Sequence, residues 1–185
     1  MAEKKFTWPK NARMAFVLGI AFEAWDRTKP TRGEALQSPL PANAVCKRDY
    51  STETFREFGA KVGLRRLLDI CDRYQIKVSL PVNGLTAEYY PDRIKECHRR
   101  GHELVAHGYD QGERLYMLTR EEEGENIRKT IAAIKKVTGE TPTGWSSPGV
   151  RSTDNTLELI AEAGLLYHCD FHDDEMPYPI KIAGK

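Results

Sequence analysis

The chain is poor in the features that mark several protein classes. It has four cysteines, Cys46, Cys71, Cys97 and Cys169, with no C-x-x-C pair and no zinc-ribbon spacing. That excludes a disulfide-stapled scaffold and a simple zinc finger. Cys71 and Cys97 fall on apolar faces of predicted helices, as core thiols do in a reducing cytoplasm. Charge of one sign is also lacking: the net charge is +1 over 185 residues, with no dense basic run. Nucleic-acid binding, which depends on phosphate neutralisation, is therefore not expected. Long hydrophobic runs are absent too. The longest, Met14–Phe22, has nine residues, against about 20 needed to span a bilayer. Lys4, Lys5, Lys10 and Arg13 precede it, but Trp8 and Pro9 interrupt the basic stretch. Glu23 and Trp25 occupy the position of a cleavage site. A buried first strand fits better than a signal peptide, and membrane association is not expected. Finally, there is no internal repeat, and no G-x-G-x-x-G or G-x-x-x-x-G-K-[ST] follows any predicted strand, so a phosphate cradle is not expected.

What remains, 40% hydrophobic and 30% charged residues, suits one globular domain over residues 1–185. Residues 26–54, with Pro30, Gly33, Pro39 and Pro41, read as a long excursion loop of the kind that usually serves function. The period then becomes helical. Leu64, Leu67, Leu68, Cys71 and Tyr74 share one face, opposite Arg65, Arg66, Asp69, Asp72 and Arg73. Ile76–Leu80 alternates as a strand, and a helix over Ala87–Arg100 stops at Gly101. Glu103–Ala106 is the next strand. Thr119 and Glu122 form a capping box for a helix with Ile127, Ile131, Ile134 and Val137 inward, ending at Gly139. Thr143–Ser146 is a short strand. Thr153 can cap a helix with Leu157, Ile160 and Ala161 inward, ending at Gly164, and Leu165–Cys169 is the fifth strand. Alternating strands and helices mean βαβ crossovers and a parallel sheet, either open and doubly wound or curled into a barrel.

In such folds, sites gather beyond the carboxyl ends of the strands. Those positions hold Glu23-Ala24-Trp25-Asp26, Pro81-Val82-Asn83-Gly84, His107-Gly108-Tyr109-Asp110-Gln111, Ser147-Pro148-Gly149 and Asp170-Phe171-His172-Asp173-Asp174. The reactive side chains concentrate at this end. The other end carries ordinary helix stops. Glu23, directly after an apolar strand, is expected to be partly buried at the site, with His107 within its reach. Three adjacent acids, Asp173, Asp174 and Glu175, repel one another unless donors or a cation hold them. Trp25 and Trp145 are read as walls of the pocket, while Asp110 and His172 receive no assignment.

These stretches resemble the polysaccharide deacetylase superfamily (NodB-homology, carbohydrate esterase family 4), in particular its allantoinase-like, urate-catabolism branch. The resembling segments are WPKNARMAFVLGIAFEAW, FGAKVGLRRLLDICDRYQIKVSL, VNGLTAEYYPDRIKECHRRGHELVAHGYDQ, TGETPTGWSSPGVRSTDNTLELIAEAGLLYHCD and DDEMPY, in family order across most of residues 8–178. The resemblance implies an α/β fold, a distorted (β/α) barrel of the NodB-homology type, and hydrolysis of a non-peptide carbon–nitrogen bond. It also implies a metal triad, from which this chain departs. Glu23 matches the catalytic-base aspartate, but Ala24 stands at the metal-binding aspartate. His107 matches the first metal histidine, but Gln111 stands at the second. Zinc prefers three or four N, S or carboxylate ligands, so no metal ligand is assigned. Zinc or another divalent ion is left as an alternative with two of three ligands replaced. The family's R-x-P-x-G region reads Ser146-Ser147-Pro148-Gly149, with Arg151 the nearest arginine.

The resulting expectation is hydrolysis of a small amide, a cyclic ureide or an N-acetyl group by Glu23, His107 and Asp173. In that reading Glu23 is the general base, His107 acts on the carbonyl or leaving nitrogen, and Asp173 and Asp174 orient His107 or grip substrate N–H groups. Trp25, Asn83, Tyr109, Gln111, Trp145, Ser147, Pro148 and Asp174 would bind substrate. Gln111 and the backbone around Ser147–Gly149 would supply oxyanion donors. The alternative is a non-catalytic ligand-binding or scaffold remnant of the same fold. Five strands are too few to close the family barrel, and Tyr178–Lys185 reads as the first arm of a hairpin. The domain is thus expected to be incomplete at its C-terminal end: either the chain is a fragment, or another chain covers the open edge, as in a homo-oligomer.

Overall fold

The computed structural model describes residues 8–30, 40–41 and 43–182. Lys4, Lys5, residues 31–39 and 42 of the 26–54 loop, and residues 183–185 lie outside the described residues. Helix α1 (Tyr50–Phe58) opens under Asp49, whose side chain accepts from the Thr52 amide. It therefore begins inside the segment read as loop. A π-helical turn, Gly59–Gly63, joins it to α2 (Leu64–Arg73), with the Leu64 amide bonded to the Gly59 carbonyl. Strand β1 (Ser79–Val82) leads into α3 (Gly84–Tyr89) and α4 (Pro91–Arg99). Then come β2 (Glu103–Ala106), α5 (Arg120–Thr138), β3 (Gly144–Trp145), α6 (Thr156–Glu162) and β4 (Tyr167–His168).

The four strands are parallel and lie in chain order, β1-β2-β3-β4. Sequential order means that every crossover advances in one direction, so the helices collect on one face. There α3 packs on α4 and α5, and α5 on α6. A doubly wound sheet would reverse its order and place helices on both faces. The curled, barrel-type alternative is the one observed. Its core joins Leu64, Leu68 and Cys71 of α2 to Leu80, Val82, Ile94, Cys97, Ile127, Ile134 and Trp145.

Several expectations need correction. Met14–Phe22 is not a buried strand throughout. Gly19 and Phe22 bridge Ser79 and Val82 in parallel, and the Ile20 and Phe22 amides donate to the Ser79 and Pro81 carbonyls. Met14, Phe16 and Val17 are exposed. The same register would set residues 14–17 opposite residues 74–77, where the chain is still leaving α2, so no ladder forms there. That exit also shortens the strand predicted over Ile76–Leu80. Gln75 adopts a positive φ of 56° and the Ile76 amide bonds back to Cys71. Leu67 and Tyr74, expected inward, are exposed. The single helix predicted over Ala87–Arg100 is two, because Pro91 has no N–H to continue the first. The helix expected under a Thr153 cap begins at Thr156 instead. It buries Leu159 and Ile160 while Ala161 is exposed. Thr153 instead donates to the buried carboxylate of Glu123. No strand forms over the described part of the C-terminal arm, residues 178–182. The Thr119–Glu122 capping box and the left-handed Gly139 that ends α5 are as predicted.

Candidate active site

Strand register fixes the site. Phe22, Val82, Ala106, Trp145 and His168 are successive partners across the sheet. One residue further along each strand therefore forms the next layer, and the first four of these are Glu23, Asn83, His107 and Ser146. Two strand spacings, about 9–10 Å, separate the backbones that carry Glu23 and His107. Their side chains reach towards each other across the end of β1. Glu23 Oε1 lies 3.4 Å from His107 Nε2. Nδ1 of His107 is 2.7 Å from the Ser146 carbonyl oxygen. Since a carbonyl can only accept, Nδ1 carries a proton. The neutral ring then turns a bare Nε2 towards a carboxylate oxygen, placing two lone pairs face to face. A single proton between them converts this repulsion into an ion pair. The arrangement thus has a place for one proton between Glu23 and His107.

The two residues differ in access. The His107 side chain is 6% exposed and that of Glu23 25%. Glu23 lines a cavity of about 330 Å³, and His107 sits behind it. Trp25, Arg56, Glu57, Tyr89 and Tyr90 also line the cavity, so α1 supplies much of its wall and the end of α3 adds to it. The Arg56 guanidinium lies over the Trp25 ring, 3.9 Å from its centroid. Arg27 stacks on Tyr89 at 4.3 Å and donates to Glu57 and to the Tyr90 hydroxyl. Burial pushes Glu57 up, but hydrogen bonds from Tyr90 and Lys61 and the charge of Arg27 outweigh it, holding the carboxyl below its usual range. Burial, reinforced by Glu57, raises Tyr90. The charges in this wall are largely neutralised by one another.

The loops that frame the site are stapled from beneath. Asn83 is fully buried, accepting from the Ala24 amide and donating to the His107 carbonyl and the Gln111 side chain. Asp110, 3% exposed, accepts from the amides of Asp26 and Gly112 and from Lys29 Nζ. Its hydrogen bond raises Lys29. Gly108 has a φ of +69°, and a Cβ there would stand 2.7 Å from Pro148. Glycine is required where these two loops touch.

Other predicted residues lie elsewhere. Trp145 is fully buried in the core and donates to Ser147 Oγ, so it walls no pocket. Ser147 is also fully buried, its amide and hydroxyl both donating to Asp170. That amide is committed and cannot be the expected oxyanion donor. Pro148 is buried against Gly108. Tyr109 lies over Gly84, and its hydroxyl donates to Glu88. Burial and that carboxylate push it up to about 12. Asp173 and Asp174 are exposed and accept from the Tyr178 hydroxyl and the Met176 amide. Asp173 does not meet His107, whose two nitrogens face Ser146 and Glu23. Asp110 and Asp170 were missed as anchors. The available signal was their place, one to four residues past a strand end.

Among the described residues, no three His, Cys, Asp or Glu side chains are arranged to hold a metal ion. Beside His107, Ala24 offers a buried methyl group, and the Gln111 carbonyl is taken by Asn83. This donor set does not fit a zinc ion. No helix among the described residues is long and apolar enough to cross a membrane.

Residues 54–168 match the family profile of polysaccharide deacetylases. A peptidoglycan deacetylase from Helicobacter pylori is 31% identical over 126 residues, covering 68% of this chain and 43% of that protein. The crystal structure of a probable polysaccharide deacetylase from Pseudomonas aeruginosa PAO1 superposes with a TM-score of 0.80 at 28% identity. It covers 92% of this chain and 58% of that one. The crystal structure of Puue allantoinase gives a TM-score of 0.79 at 28% identity, with the same coverage. The chain thus spans about half the length of these relatives.

Proposed function

The chain belongs to the polysaccharide deacetylase family, and on that premise we propose that it hydrolyses the carbon–nitrogen bond of a small amide or cyclic ureide at Glu23. The observation that carries this reading is the Glu23–His107 contact of 3.4 Å opening into the cavity. The cavity volume of about 330 Å³ is at the small end of ligand pockets. It suits a compact molecule better than a polymer chain. The likeness to an allantoinase structure supports a ureide.

In this mechanism Glu23 removes a proton from water as the oxygen attacks the carbonyl carbon. The proton resides between Glu23 and His107. As the tetrahedral intermediate collapses, the carbon–nitrogen bond breaks and Glu23 returns the proton to the departing nitrogen. The Gln111 amide nitrogen, on the far side from its bond to Asn83, is the proposed oxyanion donor. His107 acts through Glu23 rather than on substrate. In this reading the step needs no metal, since the donor set among the described residues does not fit zinc. The same reading treats residues 1–185 as one partial domain working in the cytoplasm, which accords with four unpaired thiols. It also retains a homo-oligomer, which accords with exposed Met14, Phe16 and Val17 beside the sheet edge.

The test is turnover of allantoin, with acetamide and N-acetylglucosamine oligomers alongside, before and after chelation. Allantoin turnover that survives EDTA, and falls at least about a hundredfold in Glu23→Gln, is expected. Near-wild-type activity in that variant, or turnover that requires stoichiometric zinc, would overturn the proposal. Saturable allantoin binding without product would point instead to a non-catalytic remnant.

A further inference from the structure

We infer that Asn83 is a positioning residue that sets the Glu23–His107 pair, and is not a contact for substrate. The inference rests on the catalytic reading above only for its kinetic test. Asn83 directly follows β1, the strand that lies between the segment carrying Glu23 and the strand that His107 follows. The pair must therefore bridge over it. Its side chain is fully buried, so no substrate reaches it.

What it touches is backbone on both sides. Oδ1 accepts from the Ala24 amide at 3.1 Å, fixing the peptide that follows Glu23. Nδ2 donates to the His107 carbonyl at 2.5 Å, with the Gly108 carbonyl at 3.4 Å and Gln111 Oε1 at 3.2 Å. One planar amide thus measures the gap between the two loops with an acceptor facing one and a donor facing the other. Aspartate would put an oxygen against three acceptors. Leucine would leave the Ala24 amide and the His107 carbonyl without this partner. Asparagine has both functions at the required separation. The backbone bonds Gln111 N to Ala24 O at 3.0 Å and His107 N to Val82 O at 3.0 Å close the same frame.

The experiment compares Asn83→Ala with wild type in two ways. Asn83→Ser, which keeps a hydroxyl for one orphaned group, is the second variant should alanine fail to fold. Without substrate, the ¹⁵N resonances of the His107 ring are recorded in wild type, Glu23→Gln and the Asn83 variant. Losing the carboxylate partner in Glu23→Gln shifts Nε2. The folded Asn83 variant is expected to shift Nε2 in the same direction while Nδ1, held by Ser146, stays put. With allantoin as probe, kcat is expected to fall about tenfold to a hundredfold with KM within about twofold, the scale of a small misplacement of reacting groups. An Nε2 resonance unchanged from wild type in the folded variant would overturn the inference. So would an unchanged kcat. Failure of wild type to turn over allantoin, with the Nε2 shift still present, would overturn the catalytic reading and leave the positioning role standing.

Discussion

The two ends of the sheet hold most of their polar side chains in different ways, with the buried His102 the exception at the amino ends. At the carboxyl ends, Asn83, His107, Asp110 and Asp170 are buried, and the side chain of each bonds to backbone of a neighbouring loop. At the amino ends, Arg100, its own side chain 16% exposed, pairs with Glu96 and with Asp69 and Asp72, whose side chains are 56% and 44% exposed. Side chain to side chain pairing at the surface, open to water on the carboxylate side, holds less in place and contributes less. A buried side chain bonded to backbone fixes where the next loop runs, and its loss leaves unsatisfied groups. The first arrangement is suited to keeping reacting groups in register, the second to closing a surface.

Substitutions at each end sharpen this contrast. The largest effect expected is the loss of turnover in Glu23→Gln, at least about a hundredfold, with the melting temperature nearly unchanged. The next is Gly108→Ala, where a positive φ and a Pro148 contact of 2.7 Å coincide. Strain and overpacking together are expected to cost about 2–4 kcal/mol by urea titration. At the opposite end, Arg100→Ala should cost about 1–2 kcal/mol by the same titration, since two of its three partners are open to water. A loss as large as that of Gly108→Ala would break the contrast.

The smallest effect is expected from His102, the buried imidazole at the amino ends. Its Nδ1 accepts from the Val78 amide, and its Nε2 has no partner among the described residues. Burial, helped by the charge of Lys77, lowers its pKa below the ordinary 6.5. The unfolded chain therefore takes up a proton that the native imidazole refuses. Native stability should fall as the pH drops below that ordinary value. The melting temperature between about pH 7.5 and 5.5 should decline more steeply in wild type than in His102→Asn. Equal slopes would show that His102 does not matter to this dependence.

The local chemistry of the chain was legible where it is self-contained. The Thr119–Glu122 box, Gly139 and Gly101 depend only on residues close by in the chain, and the structure has them where the sequence places them. The extent of β2 was likewise correct. What failed depends on distant partners. The first strand is cut short because its neighbour is still leaving a helix. Trp145 looks like a pocket wall until a core forms around it. The pairing of Glu23 with His107 was visible because both directly follow apolar strands. Asp173 was favoured over Asp170 because an acidic run draws attention, although the residue nearer the strand end is the buried one.

The π-helical turn at Gly59–Gly63 has a consequence for how this protein can tolerate insertions and deletions. Before it, Tyr50, Glu53, Thr54 and Glu57 face the cavity. After it, Leu64, Leu68 and Cys71 enter the core. The widened turn is the phase offset that lets one continuous helical run satisfy both surfaces. Removing a single codon there, without disturbing any of those residues, would rotate one row against the other by about 100°. Either the hydrophobic anchor or the lining of the cavity would then point the wrong way.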